Sequence, residues 1–213
     1  VRFRFPGHEK VEMENGLPKG WTVGRLKDFG RIETGKTPST ERQEYYNGEF
    51  LFVKTPDMHD TMFVFETVET LSEVGNNSQR KKLLPINSIM VSCIGSGGVV
   101  AINAKEGHTN QQINSIILNS QLDLEWLYFV CCSLKPTIEL FGATGATMTN
   151  LSKGKFERLK VIVPPVRIRS LFHNKCYHIF EQIKNLHRQN QSLTLQRDLL
   201  LPRLMSGKLE VKV

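Results

Sequence analysis

Short apolar runs separated by turn-forming residues make up the first three quarters of the chain. Residues 1–5 alternate apolar and charged side chains, and residues 50–53 and 113–118 are short β-rich runs, so each predicts a strand. Residues 88–103 place two such runs on either side of Gly95-Ser96-Gly97-Gly98, which predicts a hairpin. The pattern is that of a sheet rather than a bundle of helices.

Helical spacing first appears after Asp123, a residue suited to cap a helix. The apolar residues predicted to share one face of this helix are Leu124, Leu127, Tyr128, Cys131 and Cys132. Residues 34–49 are polar and rich in turn formers, so they predict an exposed loop, and residues 159–163 predict a last strand. Residues 1–163 therefore predict a mixed α/β (α+β) domain.

A different pattern begins after Pro164-Pro165. Apolar positions then alternate in steps of four and three, which is a heptad repeat typical of a coiled coil. The predicted seam consists of Phe172, Cys176, Ile179, Ile183, Leu186, Asn190, Leu193, Arg197 and Leu200. About 35 residues would give a helix on the order of 50 Å long, which needs a second helix to cover its seam. Asn190 would fix its register, Pro202 is expected to end it, and residues 207–213 predict a short terminal strand. Residues 164–213 thus form the second predicted domain.

A phosphate-binding pattern, Gly30-x-x-x-x-Gly35-Lys36-Thr37, invites interpretation as an ATPase or GTPase. That function requires a buried apolar strand before the first glycine and a helix at the Lys-Thr pair. The preceding residues 24–29 are too polar for a central strand, and Pro38-Ser39-Thr40 follows. We therefore reject the nucleotide hydrolase, and no other catalytic or metal-binding spacing stands out.

Charge is distributed unevenly along the chain. Residues 1–150 carry 15 basic and 17 acidic side chains, whereas residues 151–213 carry 13 and 4. A basic last third suits a polyanion such as nucleic acid, and a solvated helix face explains it as well. The chain shows no membrane-length apolar run or secretion signal, and its four cysteines lack metal-site spacing, which favours a reduced, cytoplasmic protein with no membrane partner.

The order of the segments resembles the specificity subunit of type I restriction–modification enzymes. The matching segments include Leu17-Pro18-x-Gly20-Trp21, Gly35-Lys36-Thr37-Pro38, residues 53–58, residues 88–103, Asn110-Gln111-Gln112, and the run from Arg197 to Val211. Residues 166–170 depart from the family, which usually continues toward a Glu-Gln pair after the double proline. The resemblance covers nearly the whole chain.

The resemblance implies a DNA-binding chain without catalysis of its own. In this family, each target-recognition domain reads one half of a split DNA sequence. The helices act as a spacer and as docking surfaces for the methyltransferase subunits, which methylate adenine with S-adenosylmethionine, and a restriction subunit joins the complex. A full subunit has two recognition domains and two antiparallel helices, whereas this chain has one of each. We therefore expect a C-terminal fragment or a natural half-subunit, and a homodimer would read an inverted repeat.

Candidate DNA contacts lie in the predicted loops. Basic residues that would neutralise phosphates are Lys36, Arg80, Lys81, Lys82, Lys153 and Lys155. Short polar residues suited to base edges are Thr37, Ser39, Thr40, Gln111, Gln112, Thr147 and Asn150. Each could instead be an ordinary solvated loop residue. The helix carries Lys175, Lys184 and Arg188, which would suit an acidic methyltransferase surface.

A coiled-coil adaptor protein without any DNA-reading function is the alternative. It predicts no salt-dependent affinity for DNA, whereas the recognition hypothesis predicts affinity that falls steeply as salt rises.

Overall fold

A computed structural model describes residues 10–141 and 149–208. The strand predicted for residues 1–5, most of the predicted terminal strand and Thr147 lie outside these ranges. The described strands are β1 (Met13–Glu14), β2 (Leu17–Pro18), β3 (Thr22–Arg25), β4 (Gly30–Thr34), β5 (Tyr46–Val53), β6 (Phe63–Val64), β7 (Thr70–Leu71), β8 (Ile89–Ser92), β9 (Ile94–Gly95), β10 (Val100–Asn103), β11 (Gly107–Thr109), β12 (Ile113–Leu118), β13 (Thr149–Asn150) and β14 (Lys160–Val163). The α-helices are α1 (Glu73–Ser78), α2 (Leu124–Ser133), α3 (Lys135–Leu140), α4 (Lys153–Glu157) and α5 (Val166–Met205).

The central feature is a five-stranded sheet in the order β4-β12-β8-β10-β6. Its neighbours pair antiparallel except β10 and β6, which are parallel. The predicted hairpin is confirmed, because β8 pairs with β10 across the glycine-rich loop. Strand β12 covers the predicted residues 113–118, and β14 matches the predicted last strand to within one residue. Short β-rich runs therefore located these strands well.

A second, three-stranded sheet in the order β11-β5-β7 packs against the first. Strand β5 begins at Tyr46, so the predicted exposed loop 34–49 ends earlier than expected. The reason is an irregularity in the β5–β7 pairing, where Tyr46 and Phe50 both lie opposite Leu71. A bulge of this kind lets polar residues belong to a strand without regular alternation.

The core between the sheets is apolar and buried. Its members are Leu51, Val53, Met58, Val64, Leu84, Met90, Ala101 and Ile113. Helix α2 packs on the β8–β10 part of the first sheet and buries Leu127 and Cys131. Cys132 was wrongly predicted on this face. It is exposed, because successive residues of a helix point about 100° apart.

Asp123 precedes α2 as predicted, but its side chain makes no capping hydrogen bond. It forms an ion pair with Arg169 in the first turn of α5. The Arg169 guanidinium also lies 5.6 Å from the ring centroids of both Phe29 and Trp126. One turn later, His173 Nδ1 lies 2.7 Å from Glu125 Oε2. Arg169, from the stretch that departs from the family pattern, thus anchors the start of the helix.

The chain divides into two compact units, Val1–His173 and Asn174–Val213. The second unit consists mainly of the rest of α5, which confirms the fold class of an α/β domain followed by a long helix. Pro202 does not end this helix, contrary to the prediction, and α5 continues to Met205. A proline removes one hydrogen bond to the preceding turn, and this loss is small when the helix has three residues left.

The predicted seam of α5 carries exposed apolar side chains. Ile179 is 55% exposed, Leu186 49%, Leu193 61% and Leu200 44%. Asn190 is also exposed, whereas Phe172, Cys176 and Ile183 are half-buried. Pairing of this seam with a second helix stays a prediction. Among the described helices, none is both long enough and apolar enough to cross a bilayer.

Candidate nucleic-acid interface

Most of the predicted contact residues follow strand ends that meet at one edge of the five-stranded sheet. Because β12 runs antiparallel to both β4 and β8, β4 ends at Thr34 and β8 ends at Ser92 where β12 begins at Ile113. Strand β10 begins at the same place with Val100. We call this the loop edge. The opposite end, where β4 begins at Gly30 and β10 ends at Asn103, is the far edge.

The loop after β4 is bonded to the residues that precede β12. The Gly35 N–H donates to the Ile113 carbonyl at 3.2 Å, and the Lys36 N–H donates to the Thr109 carbonyl at 2.9 Å. The Thr37 hydroxyl lies 2.6 Å from Gln111 Oε1. A Cβ at position 35 would lie 2.2 Å from the carbonyl oxygens of Thr109 and Asn110, so only glycine fits there.

Close packing accounts for Gly35 in the phosphate-loop pattern, so the pattern does not require a nucleotide-binding site. Gly35 lets two backbone segments approach closely, whereas a phosphate loop uses its glycines to expose N–H groups. Beyond Thr37 the chain turns at Thr40 and Glu41 and reaches a short 3-10 helix, Gln43–Tyr45, instead of an α-helix. Rejection of the ATPase interpretation is therefore supported by the geometry.

Two further segments complete the loop edge. Strand β13 pairs with β9, which places Asn150 opposite Ile94 in the loop after β8. The Leu151 N–H donates to the Cys93 carbonyl at 2.9 Å, and the Cys93 N–H donates to the Gln112 carbonyl at 2.7 Å. Segments that lie far apart in the sequence are thereby joined side by side.

The loop edge brings together many of the predicted residues. Those in its loops are Lys36, Thr37, Ser39, Thr40, Gln111, Gln112 and Asn150. Gln112 is half-buried and its Oε1 accepts a hydrogen bond from Asn110 Nδ2 at 3.0 Å, whereas the side chains of Lys36, Gln111 and Asn150 are exposed. Lys153 and Lys155 follow on α4, and both are exposed.

The predicted basic residues differ in the contacts that they make within the protein. Lys82 Nζ lies 2.9 Å from Glu33 Oε1 and donates to the Thr34 carbonyl at 2.6 Å. Its ammonium group therefore supports the end of β4, and its availability to DNA is reduced. Arg80 and Lys81 in the same 3-10 turn are exposed. Lys153 Nζ lies 3.9 Å from Glu157, and Lys155 Nζ lies 5.7 Å from the Phe141 ring centroid.

Arg42 is a further basic residue between β4 and β5 that was not among the predicted DNA contacts. It is exposed, its Nη1 donates to the Tyr45 hydroxyl at 2.9 Å, and its guanidinium lies 5.5 Å from the centre of that ring. The Tyr46 hydroxyl donates to the Pro38 carbonyl at 3.0 Å, which joins this turn to the loop after β4. An arginine three residues before a tyrosine was the available signal, but it is a weak one.

The buried side chains beneath the loops are neutral. Burial raises the pKa of Cys93 to about 11, against a smaller opposite effect of the nearby Asn114, so the group is a thiol at neutral pH. Asn114 itself is 2% exposed. The charges available for a ligand therefore lie on the surface side chains of the loops.

Comparison with known proteins identifies the family. Residues 18–196 match the type I restriction modification DNA specificity domain, so the chain belongs to that family, as the sequence resemblance predicted. It is 42% identical over 198 residues to the type I restriction enzyme HindI specificity subunit of Haemophilus influenzae, covering 91% of this chain and 42% of the relative. It is 27% identical over 210 residues to the MjaIX specificity subunit of Methanocaldococcus jannaschii, covering 94% and 47%.

Solved structures share the fold. The HsdS subunit from Thermoanaerobacter tengcongensis matches with a TM-score of 0.59 at 18% identity, covering 94% of this chain and 49% of that one. The S subunit of a type I restriction–modification system from M. genitalium matches with a TM-score of 0.60 at 19% identity, covering 92% and 48%. The chain thus spans about half the length of the specificity subunits that it matches.

Proposed function

We propose that this chain recognises one half of a split DNA sequence and directs an adenine methyltransferase and a restriction complex to it. Family membership and the loop edge support this proposal together. The single observation that carries it is the convergence of four loop segments at one sheet edge, with exposed lysine, threonine and amide side chains. Phosphate contacts position a protein on DNA, whereas hydrogen bonds to base edges supply specificity.

The side-chain chemistry of the loop edge suits this division of roles. The Thr37 hydroxyl donates to Gln111 Oε1, so this bond does not use the two N–H donors on Gln111 Nε2. A glutamine or asparagine amide pairs well with adenine N6 and N7 in the major groove. Lys36, Lys153, Lys155, Arg80 and Lys81 would neutralise phosphates around such a contact.

In this proposal the chain itself catalyses no reaction and holds no cofactor. S-adenosylmethionine would be bound by the partner methyltransferase, and the restriction subunit would join through the assembled complex. The exposed basic side chains of the second unit, such as Lys175 and Arg188, would face an acidic methyltransferase surface. Lys184, predicted for the same surface, is 7% exposed and its Nζ lies 2.8 Å from Glu181 Oε1, so it is not available for such a contact. The four free cysteines support a cytoplasmic location for this assembly.

The second unit would pair with another helix through its exposed seam. A chain with one recognition domain and one helix reproduces a full subunit if it pairs with its own copy or with a second half. Self-pairing would give two-fold symmetry and two identical recognition domains. The DNA site would then be an inverted repeat with a fixed spacer.

Co-expression with the cognate methyltransferase subunit, followed by mapping of methylated adenines by single-molecule sequencing, tests this function. We expect a methylated motif that disappears when the chain is omitted. An inverted repeat with a fixed spacer would support self-pairing, whereas two unrelated half-sites would identify a second, different half. A stable complex without methylation, and without salt-dependent DNA binding, would favour the adaptor alternative.

A further inference from the structure

Asn114 lies at the point where the loop segments of the loop edge meet. It is the second residue of β12, is 2% exposed, and pairs with Thr34 of β4 and Val91 of β8. Its Oδ1 accepts a hydrogen bond from the Thr34 hydroxyl at 2.6 Å. Its Nδ2 donates to the Leu151 carbonyl at 3.3 Å. The N–H of the same Leu151 donates to the Cys93 carbonyl at 2.9 Å.

Thr34, Leu151 and Cys93 are residues from which the loops of the loop edge depart. Thr34 precedes the loop that carries Lys36 and Thr37, and Cys93 begins the loop after β8. Leu151 follows Asn150 and precedes α4. The buried Asn114 side chain therefore joins β12 to two segments that lie as far apart in the sequence as residues 34 and 151, and Leu151 extends this contact to the loop after β8.

We propose that Asn114 is a positioning residue for DNA specificity. It holds the loops of the loop edge in fixed positions relative to one another. This inference rests on the proposed DNA-recognition function. Base reading requires side chains held to within about 0.5 Å of the productive geometry by buried supporting contacts. Phosphate contacts by long lysine side chains tolerate larger displacements, because an ammonium group acts as a compact point charge on a flexible stem.

The far edge supplies a matched control. Asn103 is 1% exposed at the end of β10, and its Oδ1 accepts a hydrogen bond from the Ser88 N–H at 2.7 Å. Its Nδ2 donates to the carbonyls of Pro85 at 2.9 Å and Lys105 at 2.8 Å. Asn103 is thus as buried and as well bonded as Asn114, but it supports the far edge of the same sheet.

The test compares Asn114→Ala with Asn103→Ala in the full chain assembled with its methyltransferase. The probe is a duplex that contains the methylation motif mapped for the unsubstituted protein, and a scrambled duplex serves as the non-specific competitor. We expect Asn114→Ala to reduce the ratio of specific to non-specific affinity at least tenfold. The slope of log K against log salt should stay unchanged, because the phosphate contacts remain. Asn103→Ala should lower the melting temperature without changing the ratio.

A milder pair of substitutions provides the same comparison if an alanine variant does not fold. Thr34→Val removes the hydroxyl bonded to Asn114, and Ser88→Ala removes the hydroxyl bonded to the Pro85 carbonyl at 2.7 Å. We expect a threefold or larger loss of the specificity ratio for Thr34→Val and none for Ser88→Ala. Equal ratios for both members of the folded pair would overturn the inference. Absence of specific binding by the unsubstituted protein would instead refute the proposed function itself.

Discussion

Apolar side chains are placed differently in the two units of this chain. In the first unit, most large apolar residues of the five-stranded and three-stranded sheets are buried, and the loop edge offers polar and basic side chains such as Lys36 and Gln111. In the second unit, leucine and isoleucine side chains stay exposed, including Ile179, Leu186 and Leu193. A polar, hydrogen-bonding surface suits DNA, whereas an exposed apolar stripe suits another helix. The surfaces of the two units therefore differ in chemical character.

The largest expected effect is on self-association through the predicted seam of α5. Leu186→Asp combined with Leu193→Asp should raise the dissociation constant for self-association at least a hundredfold, because each buried leucine contributes roughly 1.5–3 kcal/mol. Sedimentation equilibrium measures this change. Leu195→Asp is the matched control, since Leu195 is 64% exposed but lies off the predicted seam. If both variants dissociate alike, the seam is wrongly assigned.

Acid should destabilise the first unit through His108. This residue is 1% exposed, its Nε2 lies 2.9 Å from Asn76 Oδ1, and burial lowers its pKa from 6.5 to about 4. Because the folded pKa lies below the unfolded one, the stabilisation is fully present above pH 6.5 and is lost as the pH falls toward 4. We expect a loss of about 3 kcal/mol over this range.

Urea unfolding between pH 7 and 4, followed by near-ultraviolet circular dichroism, measures that loss. His108→Gln retains an N–H donor near Asn76 and should flatten the pH dependence in this window. An equally steep dependence in the variant would assign the acid sensitivity to other groups.

A smaller effect concerns close packing at the loop edge. Gly35→Ala should lower the free energy of unfolding by about 1–3 kcal/mol, because the added methyl group overlaps the Thr109 and Asn110 carbonyls. Gly154→Ala on α4 is the control, since nothing lies within 4 Å of its Cβ position. That change should leave stability unaltered or raise it slightly. Denaturant midpoints compare the two variants.

The smallest expected effect is on a single phosphate contact. Lys36→Ala should weaken DNA binding several-fold and reduce the slope of log K against log salt by about 1. Lys27→Ala, an exposed residue just before the far edge, should change neither quantity. Equal slopes for both lysine variants would place the DNA contact away from the loop edge.

Local patterns predicted several elements correctly, but missed others such as β4 and α1 and did not predict which distant elements pair. The strand at Ile113–Leu118, the hairpin around Gly95-Ser96-Gly97-Gly98 and the helix after Asp123 all follow from periodicity and turn chemistry. The pairing of β5 with β11 was not predictable, because it joins residues about 55 positions apart. Asp123 looked like a helix cap from its position, yet its partner is Arg169, 46 residues away. Lys82 looked like a free cation but bonds to Glu33 and Thr34.

By itself, the sequence determined the family and the division into a sheet domain and a long helix. It also predicted most of the polar and basic residues that are exposed in the loops. These properties depend on hydrophobic period, turn residues and motif order, all of which are local. The tertiary structure alone decided that the loops after Thr34 and Ser92, before Ile113 and around Asn150 share one edge, with Asn114 beneath them. The physical reason is that strand pairing and buried hydrogen bonds join residues distant in the chain, and no local pattern records which distant partner satisfies a buried polar group.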